Sequence, residues 1–388
     1  MHIVADENMP ALDDFERLGR VTRVDGRSLT RADLRDADIL LVRSVTPVTE
    51  ALLADTPVRF VGSATIGTDH VDLDALDRLG IAFACAPGCN ARAVAEYVLQ
   101  ALLMASQHHG RPLRGSTVGV IGLGNVGGLV AAWLRALDVK VLGCDPPLAR
   151  AGRVTSVSLD EALAADAVTL HVPLIKGGDE ATRHLLDKTR LRALNHEQTL
   201  INTCRGPVVD NQALSRRLAR GDGPLTFLDV WEGEPRLNPA LLEQVFNGSP
   251  HVAGYSVEGK RLGSAMLYEA WCRWMGEPAP AAPAVAERRT LALDVEDESQ
   301  LLALLRYAHR LPEDDQRLRR SLRESDPGAA FDRLRKQYPP RHELHHWRHQ
   351  GKVAPSLRAL VSLLFESNAS GSARPVPALH RPAGSSPR

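Results

Sequence analysis

Short apolar segments alternate with polar or helical segments along the first ninety residues of the chain. The helical spacing is clearest in DLDALDRL at residues 72–79. The apolar runs between such segments have the length of strands, and they are HIVA (2–5), DILLVRS (38–44), VRFVGSA (58–64) and GIAFACA (80–86). Alternation of this kind is typical of α/β units built on a parallel sheet. The hydrophobic pattern therefore predicts an α/β domain in the first ninety residues.

A long helix is predicted next, over ARAVAEYVLQALLMASQHH at residues 91–109. Asn90 is suited to cap its N-terminus. An apolar stripe at helical spacing runs along one side, formed by Val94, Tyr97, Val98, Ala101, Leu102 and Ala105. We interpret this helix as the link between the first domain and the next.

A second alternating series follows the long helix and predicts a second α/β domain. Its apolar runs are TVGVIG (117–122), VKVLGCD (139–145), AVTLHVPL (167–174), TLINTCR (199–205), LTFLDVWEGEP (225–235) and HVAGYS (251–256). A Pro/Ala-rich linker, PAPAAPAVAERR at 278–289, then precedes helical segments that suggest a smaller third domain. The last residues, 367–388, are poor in large apolar side chains, so we expect a disordered tail there.

Composition excludes several classes of protein. The 388 residues contain 47 Lys plus Arg and 47 Asp plus Glu, so the chain has no overall basic field and nucleic acid is not an expected partner. We find neither a signal peptide nor an apolar run near the length of a membrane helix, which favours a cytoplasmic protein. The five scattered cysteines argue against a disulfide framework, and CAPGC at 85–89 lacks the spacing of a usual metal or redox pair.

A glycine-rich turn in the second series predicts a dinucleotide site. Gly122, Gly124 and Gly127 form G-x-G-x-x-G between an apolar strand and an amphipathic helix. In this context the glycines allow a tight turn, a close approach of the backbone to a pyrophosphate, and close packing of helix on strand. Asp145 ends the next strand, where a carboxylate accepts hydrogen bonds from ribose hydroxyls and repels a 2′-phosphate. NAD is therefore favoured over NADP.

Three later strands are predicted to present polar side chains at one edge of the second sheet. Arg205 follows TLINTC, the next run presents Asp229, Glu232 and Glu234, and His251 opens the last. Ligands of open α/β sheets bind outside the carboxyl ends of the strands. An arginine there suits a substrate carboxylate, and a histidine oriented by a glutamate suits a general base, as oxidation of a 2-hydroxy acid requires. We therefore expect Arg205, His251 and one of these glutamates to be catalytic.

With these residues in view, the chain resembles the D-isomer-specific 2-hydroxyacid dehydrogenases. The match is dense over residues 1 to 275 and continues through FDRLRKQY at 331–338. The matching segments, in order, are VADENMP, VRSVT, GTDHVD, APGCNA, GNVG, CDPP, CRGPVVDN, LDVWEGEP and HVAGYSVEGK. The resemblance implies an α/β protein with two doubly wound parallel-sheet domains, a flavodoxin-like substrate domain and a Rossmann NAD domain. It also implies a small α+β C-terminal dimerisation domain.

The domain boundaries expected from pattern and resemblance together have four parts. They are a substrate-binding domain at 1–93 with 257–280, an NAD-binding domain at 94–256, a dimerisation domain at 283–366 and a tail at 367–388. The resemblance further implies a homodimer. It implies NAD-dependent oxidation of a D-2-hydroxy acid, and its closest segments point to 4-phospho-D-erythronate, an intermediate of pyridoxal 5′-phosphate biosynthesis.

The resemblance also assigns individual contacts. It implies catalytic roles for Arg205, Glu234 and His251, and substrate contacts from Ser44, Thr65 and Tyr255. The implied cofactor contacts are Gly122, Gly124, Asn125, Val126, Gly127, Asp145, Thr203, Cys204, Arg205, Asp229 and Gly254. Ser44 and Thr65 follow strands, near Arg43, where hydroxyls could bind a phosphate, although either hydroxyl could instead cap a helix or close a turn. Val172 stands where relatives can have threonine, which puts a side-chain contact with the cofactor there in doubt.

Three alternatives remain at this level. HELHH at 342–346 satisfies the H-E-x-x-H pattern of zinc proteases, but its surroundings are polar and no third ligand is evident, so we expect a solvated helix and no metal. The same two-domain fold serves as a nucleotide-sensing corepressor in some relatives, which would make the chain a binding module. Finally, the substrate could be another 2-hydroxy acid, such as glycerate or 3-phosphoglycerate.

Overall fold

The computed structural model describes residues 1–279, 288–366 and 376–382. The chain divides into two compact units. Unit 1 comprises residues 1–90, 256–286 and 371–388, and unit 2 comprises residues 91–255 and 287–370.

Both units are built from short strands and helices in alternation. The strands are β1 His2–Asp6, β2 Arg20–Val24, β3 Ile39–Val42, β4 Phe60–Ser63, β5 Ala82–Cys85, β6 Thr117–Ile121, β7 Lys140–Cys144, β8 Ala167–Leu170, β9 Thr199–Asn202, β10 Leu225–Leu228, β11 Asn247–Gly248, β12 Arg289–Ala292, β13 Trp347–Gln350 and β14 Ala378–His380. The α-helices are α1 Asp13–Glu16, α2 Glu50–Leu53, α3 Leu73–Leu79, α4 Ala91–His109, α5 Asn125–Ala136, α6 Pro146–Arg150, α7 Leu159–Leu163, α8 Lys188–Ala193, α9 Asn211–Leu218, α10 Pro239–Gln244, α11 Val257–Met275, α12 Glu298–Leu305, α13 Leu311–Ser321, α14 Pro327–Lys336 and α15 Arg358–Phe365. Short 3₁₀ helices lie at Arg31–Leu34, Gly206–Val208 and Leu344–His346.

The sheet of unit 1 has the strand order β2-β1-β3-β4-β5-β14. Its first five strands are parallel and β14 is antiparallel. Every residue of β3, β4 and β5 is buried, as expected for a parallel sheet covered on both faces. α11 covers one face, where the ring of Trp271 meets Phe60 edge to face at a centroid distance of 5.3 Å. The helix that follows the second series therefore packs on the first sheet.

The sheet of unit 2 has the order β7-β6-β8-β9-β10-β11 and is parallel throughout. The chain reverses its direction of winding between β6 and β8, the position at which doubly wound sheets bind ligands. Together the two sheets confirm the α/β class and the two parallel-sheet domains predicted from the alternating pattern.

The C-terminal segment, residues 288–366, belongs to unit 2 and shares a core with the parallel sheet and helices of that unit. Leu301 and Leu305 of α12 and Leu360 of α15 belong to the same buried cluster as Val98 and Leu102 of α4. α4 is consequently buried on more than its apolar stripe, since even its polar Glu96 and Gln100 are inaccessible to solvent. The predicted third domain thus groups with the predicted NAD domain in one compact unit.

The helix expected at HELHH is absent from the structure. Leu344–His346 forms a 3₁₀ helix, and Trp347–Gln350 continues as strand β13, paired in parallel with β12. The backbone N–H of Leu344 donates to Glu96 Oε1 at 2.8 Å, and Glu343 is 2% exposed. The expectation of a solvated helix was therefore wrong, because this segment is tied to α4 and to a strand. The geometry also differs from the α-helix on which a zinc protease presents its two histidines.

Part of the expected tail has regular structure. β14 adds to the edge of the first sheet, with Leu379 opposite Ala84, and His380 Nε2 lies 2.6 Å from Asp77 Oδ1. For residues 376–382 the structure thus differs from the expected disorder, because the free edge of β5 supplies backbone partners that compensate for the poor apolar content. The rest of the expected tail, 367–375 and 383–388, lies outside the described residues.

Two further observations concern the whole chain. All five cysteines lie in the described ranges, are buried and form no disulfide. Among the described residues, no helix combines the length and the apolar character required to cross a membrane.

Candidate active site

The glycine-rich turn between β6 and α5 has the geometry that its sequence predicts. Gly122 has a φ of +88°, and a Cβ atom there would lie 2.6 Å from the carbonyl oxygen of His171, which follows β8. A Cβ on Gly127 would lie 1.8 Å from the carbonyl oxygen of Gly122. Both positions therefore require glycine. A Cβ at Gly124 would meet no atom within 4 Å in the described part of the chain, so the space beside this glycine is open.

The N-terminus of α5 is suited to bind an anion. Gly124 is its N-cap, and among the described residues no side chain caps the helix. The first-turn N–H groups of Asn125 and Val126 therefore face a position where the helix dipole favours negative charge. α5 is twelve residues long, so its dipole is well developed. The open space at Gly124 and these N–H groups fit the pyrophosphate of a dinucleotide.

Asp145 joins the glycine-rich turn to the end of β7. Its Oδ2 accepts a hydrogen bond from the backbone N–H of Leu123 at 2.8 Å, and its Oδ1 accepts one from Leu148 at 3.0 Å and so caps α6. A carboxylate has about four lone-pair positions, so two remain for ribose hydroxyls. The structure thus gives Asp145 a second role, in fixing the turn, that the sequence did not reveal.

The residues after β9 border the same edge of the sheet. The hydroxyl oxygen of Thr203 is shielded from solvent and has no hydrogen-bond partner within the described ranges, which suits a contact to a bound molecule. The thiol of Cys204 donates to Asn202 Oδ1 at 3.1 Å. Burial raises the pKa of Cys204 to about 11, so this side chain remains a neutral thiol near neutral pH. Cys204 is therefore a packing group and not a nucleophile.

Arg205 is brought to the site by a close approach of two loops. A Cβ on the following residue, Gly206, would lie 2.0 Å from the carbonyl carbon of Trp231, so only glycine lets the turn after β9 touch the loop after β10. The Arg205 side chain is half-buried, and its Nη1 donates to the carbonyl of Cys204 at 2.8 Å. The guanidinium is thus held at the carboxyl edge of the sheet, next to the loop that carries Glu234.

Glu234 and His251 form a hydrogen-bonded pair. His251 Nδ1 lies 2.8 Å from Glu234 Oε2, and the side chains are 26% and 20% exposed. Glu234 Oε1 accepts a hydrogen bond from the backbone N–H of Trp231 at 2.8 Å. Burial acts to raise the pKa of Glu234, but the attraction and hydrogen bond of His251, with the charge of Arg335, outweigh it and lower this pKa. The carboxylate therefore stays ionised and directs Nε2 of His251 away from itself.

Asp229 holds the loop that carries His251. Its Oδ1 accepts hydrogen bonds from Ser249 Oγ at 2.6 Å and from the backbone N–H of Val252 at 2.8 Å. Its Oδ2 accepts one from the N–H of Ala253 at 3.0 Å. These bonds enclose His251, which has a φ of +58° and needs such support in the left-handed region. Asp229 was expected to contact the cofactor, and the structure gives it this positioning role as well.

The C-terminal segment contributes side chains to the same loop, which the sequence did not reveal. Arg341 donates to the carbonyls of Val252 and Ala253 at 3.1 and 2.7 Å. The positive charge of Arg335 in α14 acts to lower the pKa of Glu234. No local motif marks these arginines, because more than eighty residues separate them from the loop in the sequence and only the fold brings them to it.

The remaining predicted contacts divide between the units. Tyr255, like Gly254 and Val172, belongs to unit 2, whereas Ser44 and Thr65 belong to unit 1. Thr65 Oγ1 donates to the carbonyl of Gly67 at 2.9 Å and lies 2.7 Å from Ser63 Oγ, so the hydroxyl closes a turn. Ser44 follows β3 and is half-buried. The structure therefore brings Arg205, Glu234, His251 and the glycine-rich turn together on one sheet, at neighbouring strand ends.

Comparison with known proteins agrees with this arrangement. The family model described as the NAD-binding domain of D-isomer specific 2-hydroxyacid dehydrogenases matches residues 90–253, and a model described as a domain of unknown function matches residues 282–363. The D-lactate dehydrogenase of Aquifex aeolicus, solved with NAD and lactic acid, aligns with a TM-score of 0.61 and 25% identity. That alignment covers 71% of this chain and 96% of the solved one.

Similarity in sequence is stronger and extends over most of the chain. A relative from Marinobacter nauticus, named erythronate-4-phosphate dehydrogenase, is 48% identical over 88% of this chain and 93% of its own length. A second of the same name, from Pseudomonas savastanoi, is 46% identical over 94% of this chain and 100% of its own length. NAD is accordingly the cofactor that fits the turn, the uncapped helix and Asp145. The chain belongs to the D-isomer-specific 2-hydroxyacid dehydrogenase family and, within it, to the erythronate-4-phosphate dehydrogenases.

Proposed function

We propose that the chain oxidises 4-phospho-D-erythronate to 2-oxo-3-hydroxy-4-phosphobutanoate with NAD, in the biosynthesis of pyridoxal 5′-phosphate. The observation that carries the proposal is the Glu234–His251 pair, at 2.8 Å, on the strand ends next to Arg205. The relatives named for this substrate, at 46–48% identity, support the choice of acid.

The proposed chemistry removes one proton and one hydride from the substrate. Nε2 of His251 takes the proton of the C2 hydroxyl as general base, while Glu234 holds the imidazole in the required tautomer and stabilises its charged form. NAD, held by the glycine-rich turn, the N-terminus of α5 and Asp145, would supply the hydride acceptor, so that the C2–H bond would break as the carbonyl forms. The proton held on His251 is later released to solvent, which returns the pair to its starting state.

Arg205 is proposed to bind the substrate carboxylate. The planar guanidinium can donate two parallel hydrogen bonds to the two carboxylate oxygens. The close approach at Gly206 fixes the backbone beside Arg205, which limits the orientations available to the acid. A positive charge at this point also stabilises the negative charge that develops on the C2 oxygen as its proton is removed.

The other contacts are proposed from the resemblance and from where the residues lie. We assign the substrate contacts to Ser44, Thr65 and Tyr255. We assign the cofactor contacts to Gly122, Gly124, Asn125, Val126, Gly127, Asp145, Thr203, Cys204, Arg205, Asp229 and Gly254. At Val172 the side chain offers no hydrogen bond, so any cofactor contact there is through its backbone. The hydroxyl of Thr65 already donates its proton to the carbonyl of Gly67. To contact the phosphate, it must either accept a hydrogen bond from a protonated phosphate oxygen or give up the bond to Gly67 and donate to the phosphate instead.

The proposal extends to the setting of the reaction. The balanced charge supports a small-molecule substrate and no nucleic acid, and the pathway supports a cytoplasmic location. We infer a homodimer assembled through the predicted dimerisation domain at 283–366. The predicted boundaries at 1–93 with 257–280 and at 94–256 stay part of this proposal.

A single-turnover assay tests the proposed function. Enzyme at stoichiometric concentration with NAD is mixed separately with 4-phospho-D-erythronate, D-glycerate or 3-phospho-D-glycerate, and the absorbance of reduced nicotinamide is followed. A burst with phosphoerythronate alone is expected. A burst with another acid would keep the mechanism and change the substrate, and no burst with any acid would favour the binding-module alternative. The His251→Ala variant serves as the control for reduction that does not depend on the base.

A further inference from the structure

One arginine of the C-terminal segment donates to two backbone carbonyls in the loop that carries His251. Nη2 of Arg341 lies 3.1 Å from the carbonyl oxygen of Val252 and 2.7 Å from that of Ala253. Nη1 of the same guanidinium donates to the carbonyl of Ala308 at 3.0 Å. Hydrogen bonds from a charged donor are stronger than those from a neutral one. The guanidinium is therefore anchored in the C-terminal segment by one terminal nitrogen and holds the loop with the other.

The same stretch of backbone is held on its other side by Asp229. The N–H of Val252 donates to Asp229 Oδ1 at 2.8 Å, and the N–H of Ala253 donates to Oδ2 at 3.0 Å. The peptide that joins Val252 to Ala253 is thus bound at its carbonyl by a cation and at its N–H by an anion. Both charges act along the dipole of this peptide, so each bond strengthens the other. The peptide is left with one favourable orientation.

The two carbonyls belong to a turn that separates the proposed base from a proposed substrate contact. The N–H of Tyr255 donates to the carbonyl of Val252 at 2.8 Å and closes the turn. Gly254, which the resemblance assigns to the cofactor, shares a peptide with the carbonyl of Ala253. His251 directly precedes the turn and has a φ of +58°, a conformation that depends on support from its surroundings. A shift of this turn would therefore displace three proposed contacts together.

We propose that Arg341 is a positioning residue of the reaction, which holds the turn at 252–255 so that His251 and Tyr255 face the substrate together. For its kinetic consequences this inference rests on the proposed function. It gives the C-terminal segment, which matches a domain of unknown function, a part in the reaction in addition to any role in dimerisation. Arg341 acts through the backbone of the turn and not on the reacting atoms.

Arg341→Met removes the charge and all the donors but keeps an apolar stem of similar length. We expect the rate of hydride transfer to fall by roughly tenfold to a hundredfold, because a displacement of about 1 Å in a reacting group can cost about a hundredfold. Stopped-flow absorbance of reduced nicotinamide measures this rate at saturating acid and NAD. A rate within about twofold of wild type would overturn the proposal.

A matched control lies in the same segment, on the opposite side of β11. Arg319 donates to the carbonyls of Leu242 and Val245 at 2.5 and 2.9 Å, so it also joins the C-terminal segment to backbone near the parallel sheet. These carbonyls precede β11, whereas His251 follows it. Arg319→Met removes a contact of the same kind and should leave the rate within about twofold of wild type. Equal losses in the two variants would overturn the proposal, because they would reduce it to a general loosening of the segment.

A conservative variant covers the case in which Arg341→Met does not fold. Arg341→Lys keeps the charge but has a single terminal nitrogen, so it cannot span the turn and the carbonyl of Ala308 as the planar fork does. We expect a rate several-fold below wild type. A wild-type rate in Arg341→Lys, or a loss no greater than that of Arg319→Lys, would overturn the proposal. Thermal unfolding of every variant separates a loss of folded protein from a loss of rate.

The final measurement does not depend on the identity of the substrate. Hydrogen exchange followed by NMR, with NAD bound and no acid present, reports the N–H groups of Val252, Ala253 and Tyr255, all of which are hydrogen-bonded in the loop. We expect their exchange to be roughly tenfold faster, or more, in Arg341→Met and unchanged in Arg319→Met. Unchanged exchange in Arg341→Met would overturn the proposal even if phosphoerythronate is the substrate. Faster exchange without turnover of any acid would retain Arg341 as the support of the turn and reject the proposed function instead.

Discussion

His251 Nδ1 and Glu234 Oε2 lie 2.8 Å apart, although their residues follow different strands and are separated by seventeen positions. The pair forms because β10 and β11 are neighbours in a parallel sheet, so the loops after both strands begin at the same edge. Each partner is fixed by a backbone contact of its own: Trp231 donates to Glu234, and Asp229 holds the loop around His251. The proposed base, His251, is therefore oriented before any substrate arrives.

His251→Ala should leave NAD binding nearly intact and lower the rate of hydride transfer by about two to four orders of magnitude. The reason is that a general base typically contributes about 10²- to 10⁴-fold. Stopped-flow absorbance measures the rate, and calorimetry measures NAD affinity in the same protein. Near-normal turnover in this variant would remove His251 as the base.

Arg205→Lys should raise the KM for the acid and also slow turnover. A lysine keeps the charge but cannot donate two parallel hydrogen bonds to a carboxylate. Steady-state kinetics with the acid varied at saturating NAD separates the two effects. Unchanged kinetics would show that Arg205 does not bind the carboxylate, while a change in the KM for NAD alone would reassign it to the cofactor.

Asp145→Ala should weaken NAD binding and relax the preference against NADP. The variant loses the acceptor for Leu123 N–H, the cap of α6 and the charge that repels a 2′-phosphate. We expect the Kd for NAD to rise by about tenfold or more, the equivalent of one good hydrogen bond to a charged group. Binding of NAD and NADP to wild type and variant checks this, and an unchanged ratio of the two affinities would contradict it.

Glu96→Gln should stabilise the protein above neutral pH. Burial and the nearby Glu343 raise the pKa of Glu96 well above its usual value, against the opposing charge of Arg92. The folded state thus binds the Glu96 proton more tightly than the unfolded state. The stability that this proton contributes is complete below the ordinary pKa of glutamate and is lost as the pH rises toward the raised pKa of the folded state. Glutamine can still accept from Leu344 N–H without ionising.

Denaturant unfolding at a series of pH values measures this effect. The advantage of Glu96→Gln over wild type should grow from pH 5 to pH 8, to on the order of 1–3 kcal/mol. Glu343→Gln is the companion variant, because it removes the neighbouring carboxylate from the same cluster. A wild-type stability that rises with pH over this interval relative to Glu96→Gln would contradict the argument.

The features predicted well from the sequence are those encoded locally. Gly127 is required by a contact with the carbonyl of Gly122 five positions earlier, Gly122 by its positive φ, and the strand alternation reports burial of each sheet. The Rossmann turn and the strand ends that carry the proposed catalytic residues follow from these signals and the rule for parallel sheets. The resemblance then added the substrate.

The features that were missed depend on contacts between distant segments. HELHH does not form an α-helix, because Trp347–Gln350 directly after it pairs with β12 and the backbone N–H of Leu344 donates to Glu96. No local window of the sequence contains these partners. Ala378–His380 in the polar tail form a strand because they pair with the open edge of β5. Arg341 carries no motif, and only the fold shows that it donates to the Val252 and Ala253 carbonyls in the loop of His251.

The packing of α12 and α15 on α4 changes what a truncation would show. Deletion of everything from about residue 283 removes the predicted dimerisation domain, so a monomer is expected if that domain carries the dimer contact. It would also expose the Leu102 side of α4 and remove the partners of Glu96 and of the Val252 carbonyl. We therefore expect an unstable, inactive product. Light scattering of the full chain is the sharper test of the proposed dimer.

The strand β14 has a consequence for the order in which the protein is made. The sheet of unit 1 combines β1–β5 with α11 and with a strand that lies nearly three hundred positions after β5. During synthesis, one face and one edge of the sheet formed by β1–β5 stay uncovered until α11 and then β14 leave the ribosome. Unit 2 must also be synthesised in the interval, so the half that is translated first is completed last.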